Sequence, residues 1–407
     1  MRRCVSLSGW GGRYSRNVPQ PQIRPPVTAD SSRPRRLRIG MLGLYGMTMP
    51  NLHFTGFETG FGEIAPRLAE MGHDVVMYCR RGSFPEAMRV PEYKGVRLIY
   101  VPSPGGKNFS GVISTFMAVL HALTTGRYDI FFFVNVGMGH HAALCRLFGH
   151  KVVMNVNGLD WTRAKWGLIA RLYFRSAARS AVKFCTELVT DADAMREFYL
   201  REFSKDTTMI AYGAYVENSE NPSLISEFGV EPGGYYLIAS RLIPENHADL
   251  IAEAFLESGS GKKLLIVGGA NYDSPFHAKL RAMVGDRVML IGHINNQEII
   301  RELHCNCFAY LHGHSVGGTN PSLLKAMGYS NCVLALDTVF NREVLGDGGL
   351  FFPPDVGVLA AMLRSIESDP GLVDALRRKG PERILANYTW EKIASEYDAL
   401  FREVAAR

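Results

Sequence analysis

The segment Arg38-Ile-Gly-Met-Leu-Gly-Leu44 decides the fold class, because it is the first of many short apolar runs that alternate with amphipathic segments. An amphipathic segment from Glu58 to Met71 follows it and ends at Gly72, and a second β-branched run occupies Asp74 to Cys79. This alternation predicts a parallel sheet with helices on both faces. The pattern continues with predicted strands at 96–101, 129–135, 151–157 and 187–190, and with predicted helices at 112–123 and 163–183.

The same alternation starts again at Tyr235-Tyr-Leu-Ile-Ala-Ser240, after the hinge-like sequence Tyr212-Gly213-Ala214. Further strands are predicted at 264–267, 288–291, 309–312, 333–336 and 349–352. We therefore predict an α/β protein with two doubly wound, Rossmann-like domains that face a cleft, residues 37–213 and 214–386.

The C-terminal residues 387–407 are predicted to form one amphipathic helix. Its apolar side chains recur at spacings of three and four, and Thr389 is placed to cap the first turn. Two alternatives are open for this helix: packing on the second domain, or crossing back to brace the first. The apolar stripe consists of Trp390, Ile393, Tyr397, Leu400 and Val404.

Composition places the chain among globular proteins, with 47% hydrophobic and 21% charged residues in a length of 407. The net charge is +6, but residues 1–36 hold eight Arg and one acid, so the remaining chain is close to neutral. This distribution argues against nucleic acid as a partner. Residues 1–36 are predicted to be a disordered basic tail; an upstream start site, an arm for anionic lipid and a transit-like sequence are alternatives.

Neither a membrane span nor a metal site is expected from the sequence. No apolar run approaches the roughly 20 residues that cross a bilayer, and we predict a cytoplasmic protein with reduced thiols. Cys305 and Cys307 are predicted to be buried small side chains. The histidine pairs at 140–141 and 312–314 lack a neighbouring carboxylate or thiolate pair. For Trp161 and Trp166, core packing is favoured over stacking on a sugar.

The glycine-rich stretch His312-Gly-His-Ser-Val-Gly-Gly-Thr-Asn-Pro321 follows a predicted strand and opens a predicted helix at 321–327. Gly317 and Gly318 let the backbone approach a ligand, and free N–H groups at a helix start favour an anion. Arg241 directly follows another strand, where a guanidinium can clamp a diphosphate. The alternatives are that the glycine-rich stretch is a simple turn and that Arg241 forms a surface salt bridge. We predict that together they form one anion site.

Several segments in combination resemble the family 4 glycosyltransferases of the GT-B fold. In the second half they are residues 240–247 (Ser-Arg-Leu-Ile-Pro-Glu-Asn-His), 312–324 and 340–345; in the first half they are 56–59, 75–80, 156–161 and 164–166. The group that they resemble most is the bacterial rhamnosyltransferase-like enzymes of polysaccharide assembly. The resemblance runs from about Arg38 to the C-terminus.

The resemblance implies retaining, metal-independent transfer of a hexosyl or deoxyhexosyl group from a nucleoside-diphosphate sugar to a glycan or lipid-linked acceptor, with no cofactor. It also implies peripheral contact with the inner membrane surface. The donor would be held mainly by the second domain. The implied donor-binding residues are Gly56, Arg241, Glu245, His293, Ile294, His314, Gly317, Gly318, Thr319, Asn320, Lys325 and Glu343. The implied catalytic or orienting residues are Arg241, Asp160, Asn157 and Glu58.

The chain also departs from the family pattern. Lys325 stands where members generally have a glutamate that accepts hydrogen bonds from the ribose, and Asn157 stands where the group usually has Asp. Thr55 and Asn246 replace a usual Gly and a phosphate-binding Lys. Losing hydrogen bonds to a charged acceptor costs about 1.5–3 kcal/mol, unless Lys325 reaches a phosphate instead. A catalytically silent binding or scaffold subunit is therefore an alternative, and an epimerase or phosphorylase of the same fold is a third.

Overall fold

The computed structural model describes residues 35–49, 52, 56–104, 110–158, 161, 167–269 and 275–407. The first of its two sheets has the strand order β3-β4-β2-β1-β5-β6-β7-β8, and every pairing is parallel except that of β3 with β4. The strands are β1 (Arg38–Leu42), β2 (Asp74–Arg80), β3 (Glu92–Tyr93), β4 (Val96–Val101), β5 (Ile130–Val134), β6 (Lys151–Asn155), β7 (Glu187–Thr190) and β8 (Thr208–Met209).

Helices cover both faces of this sheet, which explains why its central strands are almost entirely apolar. Phe131 and Phe133 of β5 face one core, whereas Phe132 between them faces the other. Helix α1 (Gly56–Glu70) packs on the Phe132 face. The opposite face is covered by α2 (Ser110–Thr125), α3 (Gly139–Leu147), α4 (Leu168–Phe184) and α5 (Asp193–Phe203).

The second sheet is entirely parallel, with the strand order β11-β10-β9-β12-β13-β14. Its strands are β9 (Tyr235–Ala239), β10 (Lys263–Val267), β11 (Val288–Gly292), β12 (Ala309–His312), β13 (Val333–Leu336) and β14 (Gly349–Phe352). The helices between and after them are α6 (Ala248–Ser258), α7 (Pro275–Ala282), α8 (Gln297–Cys305), α9 (Pro321–Gly328), α10 (Val339–Leu345), α11 (Val356–Glu367) and α12 (Pro370–Asn387). The predicted fold class, two doubly wound Rossmann-like domains, is confirmed.

The strand order of the second sheet reverses between β9 and β12, which are hydrogen-bonded neighbours although two strands separate them in the chain. Connections from β9 run to one side and connections from β12 run to the other. This topological switch leaves a crevice at the carboxyl ends of the two strands, where ligands of doubly wound proteins bind.

The C-terminal helix α13 (Trp390–Ala406) packs on the first domain. Tyr397 meets Phe61 of α1 with ring centroids 5.9 Å apart, and Phe401 meets Phe132 at 5.3 Å. The Thr389 hydroxyl accepts a hydrogen bond from the Lys392 N–H at 3.3 Å, as the sequence predicted. Of the two alternatives for this helix, these contacts show the second: the helix crosses back and packs on the first domain. The predicted apolar stripe is buried throughout.

Some elements went unrecognised in the sequence. Strands β3 and β8 have two residues each, too few to show a pattern, and α3 and α5 were not predicted. Among the helices of the described part of the chain, none is both long and apolar enough to cross a membrane. The predicted tail, apart from Arg35 and Arg36, lies outside the described residues.

Candidate functional site

The loops that follow β9 and β12 touch each other at the switch point of the second sheet. The backbone N–H and the hydroxyl of Ser315 both donate to the carbonyl of Glu245 at 3.0 Å. The ring Nδ1 of His247 lies 2.9 Å from the carbonyl oxygen of Gly313. A Cβ added to Gly313 would lie 2.2 Å from the Asn246 carbonyl, so only glycine permits this approach. Arg241 and the glycine loop therefore lie at one crevice.

The glycine loop is shaped to present its backbone at the start of α9. Gly317 has φ +117°, a conformation that L side chains rarely adopt, and a Cβ added there would meet no atom within 4 Å. The side chain of Asn320 caps α9 by accepting from the Ser322 N–H at 3.0 Å. Pro321 occupies the first helical position. The predicted capping pattern is confirmed, and it leaves N–H groups and the helix dipole directed at the crevice.

The loop that carries Arg241 is held by a buried asparagine. The side-chain amide of Asn246 donates to the Arg241 carbonyl at 2.7 Å, and the Arg241 side chain is exposed at the crevice. Asn246, which stands where the resemblance implies a phosphate-binding Lys, therefore has a backbone-holding role here. This contact leaves Arg241 as the cation at this point of the loop.

The first domain meets the glycine loop through Asp191, which follows β7. The Thr319 hydroxyl donates to the carbonyl of Asp191. A Cβ added to Gly318 would lie 1.7 Å from Oδ1 of Asp191, so the carboxyl group packs directly on the glycine backbone. Burial raises the pKa of Asp191 to about 8. Asp191 was not among the predicted site residues, although the rule that identified Arg241, a polar residue directly after a strand, applies equally to it.

Other first-domain residues line the same contact. A Cβ on Gly56 would lie 3.4 Å from Cγ of Pro321, which puts the start of α1 against the start of α9. Glu58 is buried and accepts from the Tyr45 N–H at 2.9 Å. Asn157 is buried beside the Tyr212 hydroxyl, and burial together with the nearby Asp191 raises the pKa of Tyr212 well above its usual range. Asp160 lies outside the described residues.

Lys325 faces the loop that follows β11. Its Nζ donates to Oε1 of Gln297 at 2.8 Å, and burial lowers the pKa of the amine. In that loop, Nε2 of His293 lies 3.0 Å from Oδ1 of Asn295, and Ile294 packs against the core. Through Gln297, Lys325 is tied to the segment that carries His293 and Ile294, two of the residues that the resemblance implies bind the donor.

Glu343 joins the two domains. Its carboxylate accepts from the Asp193 N–H at 2.6 Å and from the Ala194 N–H at 3.1 Å, so it caps the N-terminus of α5. Burial raises its pKa nonetheless. The carboxylate thus faces the first domain, while the neighbouring Asn341 donates to the carbonyl of His314 at 2.9 Å and anchors the glycine loop.

Within the described residues, the histidines and cysteines form no metal cluster. The rings of His312 and His314 stack with centroids 4.5 Å apart, and burial holds the pKa of His312 well below its usual range. Cys307 is buried and its thiol donates to the His304 carbonyl. Trp161 packs near Phe198, as the core-packing interpretation required, whereas Trp166 is not among the described residues. No group of three or more His, Cys, Asp or Glu that could hold a metal occurs within the described ranges.

Comparison with known proteins agrees with this architecture. Residues 54–213 match the model for "Glycosyltransferase Family 4", and residues 227–383 match that for "Glycosyl transferases group 1". No curated protein is similar in sequence to this chain.

Solved structures with the same fold include sucrose-phosphate synthase from Thermosynechococcus elongatus, with 18% identity, a TM-score of 0.76, and coverage of 91% of this chain and 100% of that one. They also include Anabaena Alr3699/HepE in complex with UDP-glucose (15% identity, TM-score 0.70, 90% and 99% coverage) and a glycosyltransferase from Rickettsia africae ESF-5 (13%, 0.66, 91% and 98%). The two family models follow one another along most of the chain, and each lies on one of the two doubly wound sheets. Each half of the chain therefore matches a glycosyltransferase family model, and the chain shares the two-domain fold of these solved structures.

Proposed function

We propose that this glycosyltransferase moves a hexosyl or deoxyhexosyl group from a nucleoside-diphosphate sugar to a glycan or lipid-linked acceptor, with retention and without a metal ion. The observation that carries the proposal is the contact between the Arg241 loop and the glycine loop at the switch point of the second sheet. A diphosphate there receives N–H groups from 317–320 and a guanidinium from Arg241. The HepE structure, which holds UDP-glucose, supports a nucleotide sugar as the donor.

The proposed transfer reaction makes little use of acid or base side chains. The bond from the anomeric carbon to the diphosphate oxygen breaks, a bond to the acceptor oxygen forms, and the acceptor proton passes to the departing diphosphate. Arg241 and the loop amides stabilise the charge that develops on that diphosphate. Gly56, Asn157 and Glu58 line the first-domain side as orienting groups, and Asp160 is assigned the same role from the family resemblance. Contact between the domains excludes water that would otherwise hydrolyse the donor.

Within this proposal, residues 37–213 form the acceptor-side domain, residues 214–386 form the donor-binding domain, and the rhamnosyltransferase-like enzymes are the nearest functional group. Lys325 supports a modified donor site, because its amine, held by Gln297, supplies a cation where relatives supply a ribose-binding carboxylate.

The test is a thermal-unfolding screen of the full chain with UDP-, dTDP- and GDP-sugars. A donor at about a hundred times its Kd stabilises the fold by about 2.7 kcal/mol, which raises Tm measurably. Arg241→Gln should abolish that rise, whereas Arg378→Gln, an exposed arginine on α12, should leave it intact. Indifference of the wild type to every donor and to the free nucleotides would refute the proposal.

A silent binding subunit is the second candidate, and the Lys325 and Asn157 departures favour it. Such a subunit would show the same donor-dependent rise in Tm but no transfer and no slow hydrolysis of any donor. Measuring nucleotide release from each stabilising donor separates the two.

A further inference from the structure

A guanidinium without a carboxylate partner lies at the carboxyl end of β2. Arg80 is the last residue of this strand, it is only 9% exposed, and its Nε has no hydrogen-bond partner among the described residues. Two other arginines of low exposure pair with acids, Arg67 with Glu63 at 2.8 Å and Arg301 with Glu302 at 3.3 Å. Within the part of the chain that the structure describes, no carboxylate pairs with Arg80. A buried cation of this kind destabilises the fold unless an anion compensates it.

The surroundings of Arg80 add positive charge instead of neutralising it. Helix α2 starts beside the guanidinium, because a Cβ added to Gly111 in its first turn would lie 3.0 Å from Nη2 of Arg80. The first N–H groups of a helix lack an intrahelical acceptor and carry the positive end of its dipole. The sequence that leads into α2, residues 105–109 (Gly-Gly-Lys-Asn-Phe), contains one lysine and no acid. A cation that faces a helix N-terminus favours an anion between them.

Tyr45 fixes the orientation of the guanidinium. The guanidinium carbon of Arg80 lies 4.0 Å from the centroid of the Tyr45 ring. A stacked guanidinium keeps its N–H groups in its own plane, where they can donate to an anion at the edge. The first turn of α2 lies at this edge, next to Nη2. A phosphoryl group, which has several acceptor oxygens, can receive hydrogen bonds from the guanidinium and from the helix together.

A chain of contacts joins this position to the cleft. The Arg80 N–H donates to the carbonyl of Tyr45 at 2.8 Å, and the Tyr45 N–H donates to Oε1 of Glu58 at 2.9 Å. Glu58 belongs to the first turn of α1, whose Gly56 faces Pro321 at the end of the glycine loop. Arg80 therefore lies on the first-domain side of the cleft, beyond Glu58, whereas Arg241 and the glycine loop lie on the second-domain side.

We propose that Arg80 and the first turn of α2 form a second anion site, which we call the Arg80 site, and that it binds a phosphoryl group of the acceptor. Assigning the anion to the acceptor rests on the proposed transfer reaction, in which the donor diphosphate has its own cation and N–H groups in the second domain. The acceptor is then a phosphorylated compound, either a sugar phosphate or a lipid-linked sugar diphosphate. Its hydroxyl group reaches the cleft near Glu58 while its phosphate is held at Arg80.

The experiment isolates the Arg80 site from the donor site. Inorganic phosphate is titrated calorimetrically into the full chain carrying Arg241→Gln, which weakens the donor site. Two further changes test the Arg80 site in that background: Arg80→Gln removes the cation, and Gly111→Asp supplies a carboxylate to the guanidinium. The matched control is Arg81→Gln, because Arg81 is the exposed neighbour of Arg80 in the chain. Tm without any ligand reports on folding.

We expect Arg80→Gln and Gly111→Asp each to weaken phosphate binding about tenfold or more, and Arg81→Gln to change it less than about twofold. Neither Arg80→Gln nor Gly111→Asp should lower the Tm of the ligand-free chain, because each relieves an uncompensated charge. Phosphate affinity that survives Arg80→Gln, or that falls equally in Arg81→Gln, would overturn the proposal. So would a fall in ligand-free Tm in both site variants, which would show that the arginine serves the fold.

Glucose 1-phosphate and geranyl diphosphate, each compared with its unphosphorylated counterpart, then distinguish the two sources of the phosphoryl group. Binding that needs Arg80 supports the proposal in either case, and the tighter of the two probes identifies the class of acceptor. Donor-induced stabilisation of the wild type, measured separately, tests the proposed function. If no nucleotide sugar raises Tm but phosphate binding needs Arg80, the transfer reaction is refuted and the anion site stands. The reverse result would refute the Arg80 site alone.

Discussion

Asp191 is the residue through which the first domain contacts the glycine loop. Its carboxyl group is buried against the backbone of Gly318, and burial raises its pKa to about 8 from an ordinary value of 3.8. At neutral pH the group is therefore largely protonated and neutral. A neutral group at this position is compatible with a diphosphate nearby, whereas a carboxylate would repel it.

Replacing Asp191 with Asn should flatten the dependence of stability on pH. The folded protein holds the proton to about pH 8 and the unfolded chain only to about pH 4, so wild-type stability falls as pH rises across this window, by about 1.4 kcal/mol for each unit of pKa difference. Asp206→Asn is the control: Arg196 lowers the pKa of Asp206, so its contribution is lost only as pH falls below the measured range, and the variant should leave the slope between pH 5 and 9 unchanged. Denaturant unfolding from pH 5 to 9 makes the measurement, and parallel curves for wild type and Asp191→Asn would contradict this account.

Gly318→Ala should separate the domains at the glycine loop. The new Cβ would lie 1.7 Å from Asp191 Oδ1, and because the buried Asp191 carboxyl group must move to relieve the overlap we expect a loss of about 1–3 kcal/mol and of donor-induced stabilisation. The matched control is Gly285→Ala, whose Cβ would meet no atom within 4 Å. Adding Asp191→Ala to Gly318→Ala should restore part of the stability. An unchanged Tm in the single variant would show that the contact is not formed in solution.

Lys325→Glu tests whether the lysine belongs to a working site. The substitution puts a carboxylate beside Gln297 and near Glu217, so we expect nucleoside-diphosphate binding to weaken about tenfold or more by calorimetry. Lys325→Met separates the loss of a cation from the gain of an anion and should weaken binding less. Tighter binding or a gain of activity in Lys325→Glu would instead favour decay of an ancestral site and the silent-subunit alternative.

At the scale of elements, helix α5 is capped from the other domain. Glu343 supplies a carboxylate to the N–H groups of Asp193 and Ala194, where the helix dipole favours negative charge. Glu343→Gln should therefore cost about 1 kcal/mol of stability. Glu382→Gln, an exposed change on α12, is the control. Chemical denaturation gives the comparison, and equal stability of the two variants would mean that the cap contributes nothing.

The strand bounds show how much of the fold can be predicted from the local sequence pattern. Strands β4, β7, β12, β13 and β14 have the predicted bounds, because in each the β-branched, aromatic or leucine side chains are concentrated in one short run. The two-residue strands β3 and β8 were not predicted, because only their pairing with a neighbouring strand defines them. Arg241 and the glycine loop were predicted to share a site because strand ends meet at one edge of a sheet. Asp191 was missed because its contact with Gly318 depends on the orientation of one domain against the other, which no local pattern reports.

At the scale of the whole molecule, several contacts join the two doubly wound sheets around one cleft. Besides Asp191 and Glu343, helix α13 runs from the second domain onto the first, and Trp390 packs so closely on Gly213 that an added Cβ there would lie 2.5 Å from its ring. The hinge-like sequence 212–214 is thus packed against the helix that follows the second domain. Opening of the cleft would have to move this helix or bend the chain on either side of it.

We propose that a diphosphate binds between the glycine loop and Arg241. A crystal structure of the full chain with the nucleoside diphosphate that most raises its Tm tests this directly. We expect phosphate oxygens within hydrogen-bond distance of the N–H groups of 317–320 and of the Arg241 guanidinium. A nucleotide bound elsewhere, with both the loop and Arg241 turned away from its phosphates, would contradict it.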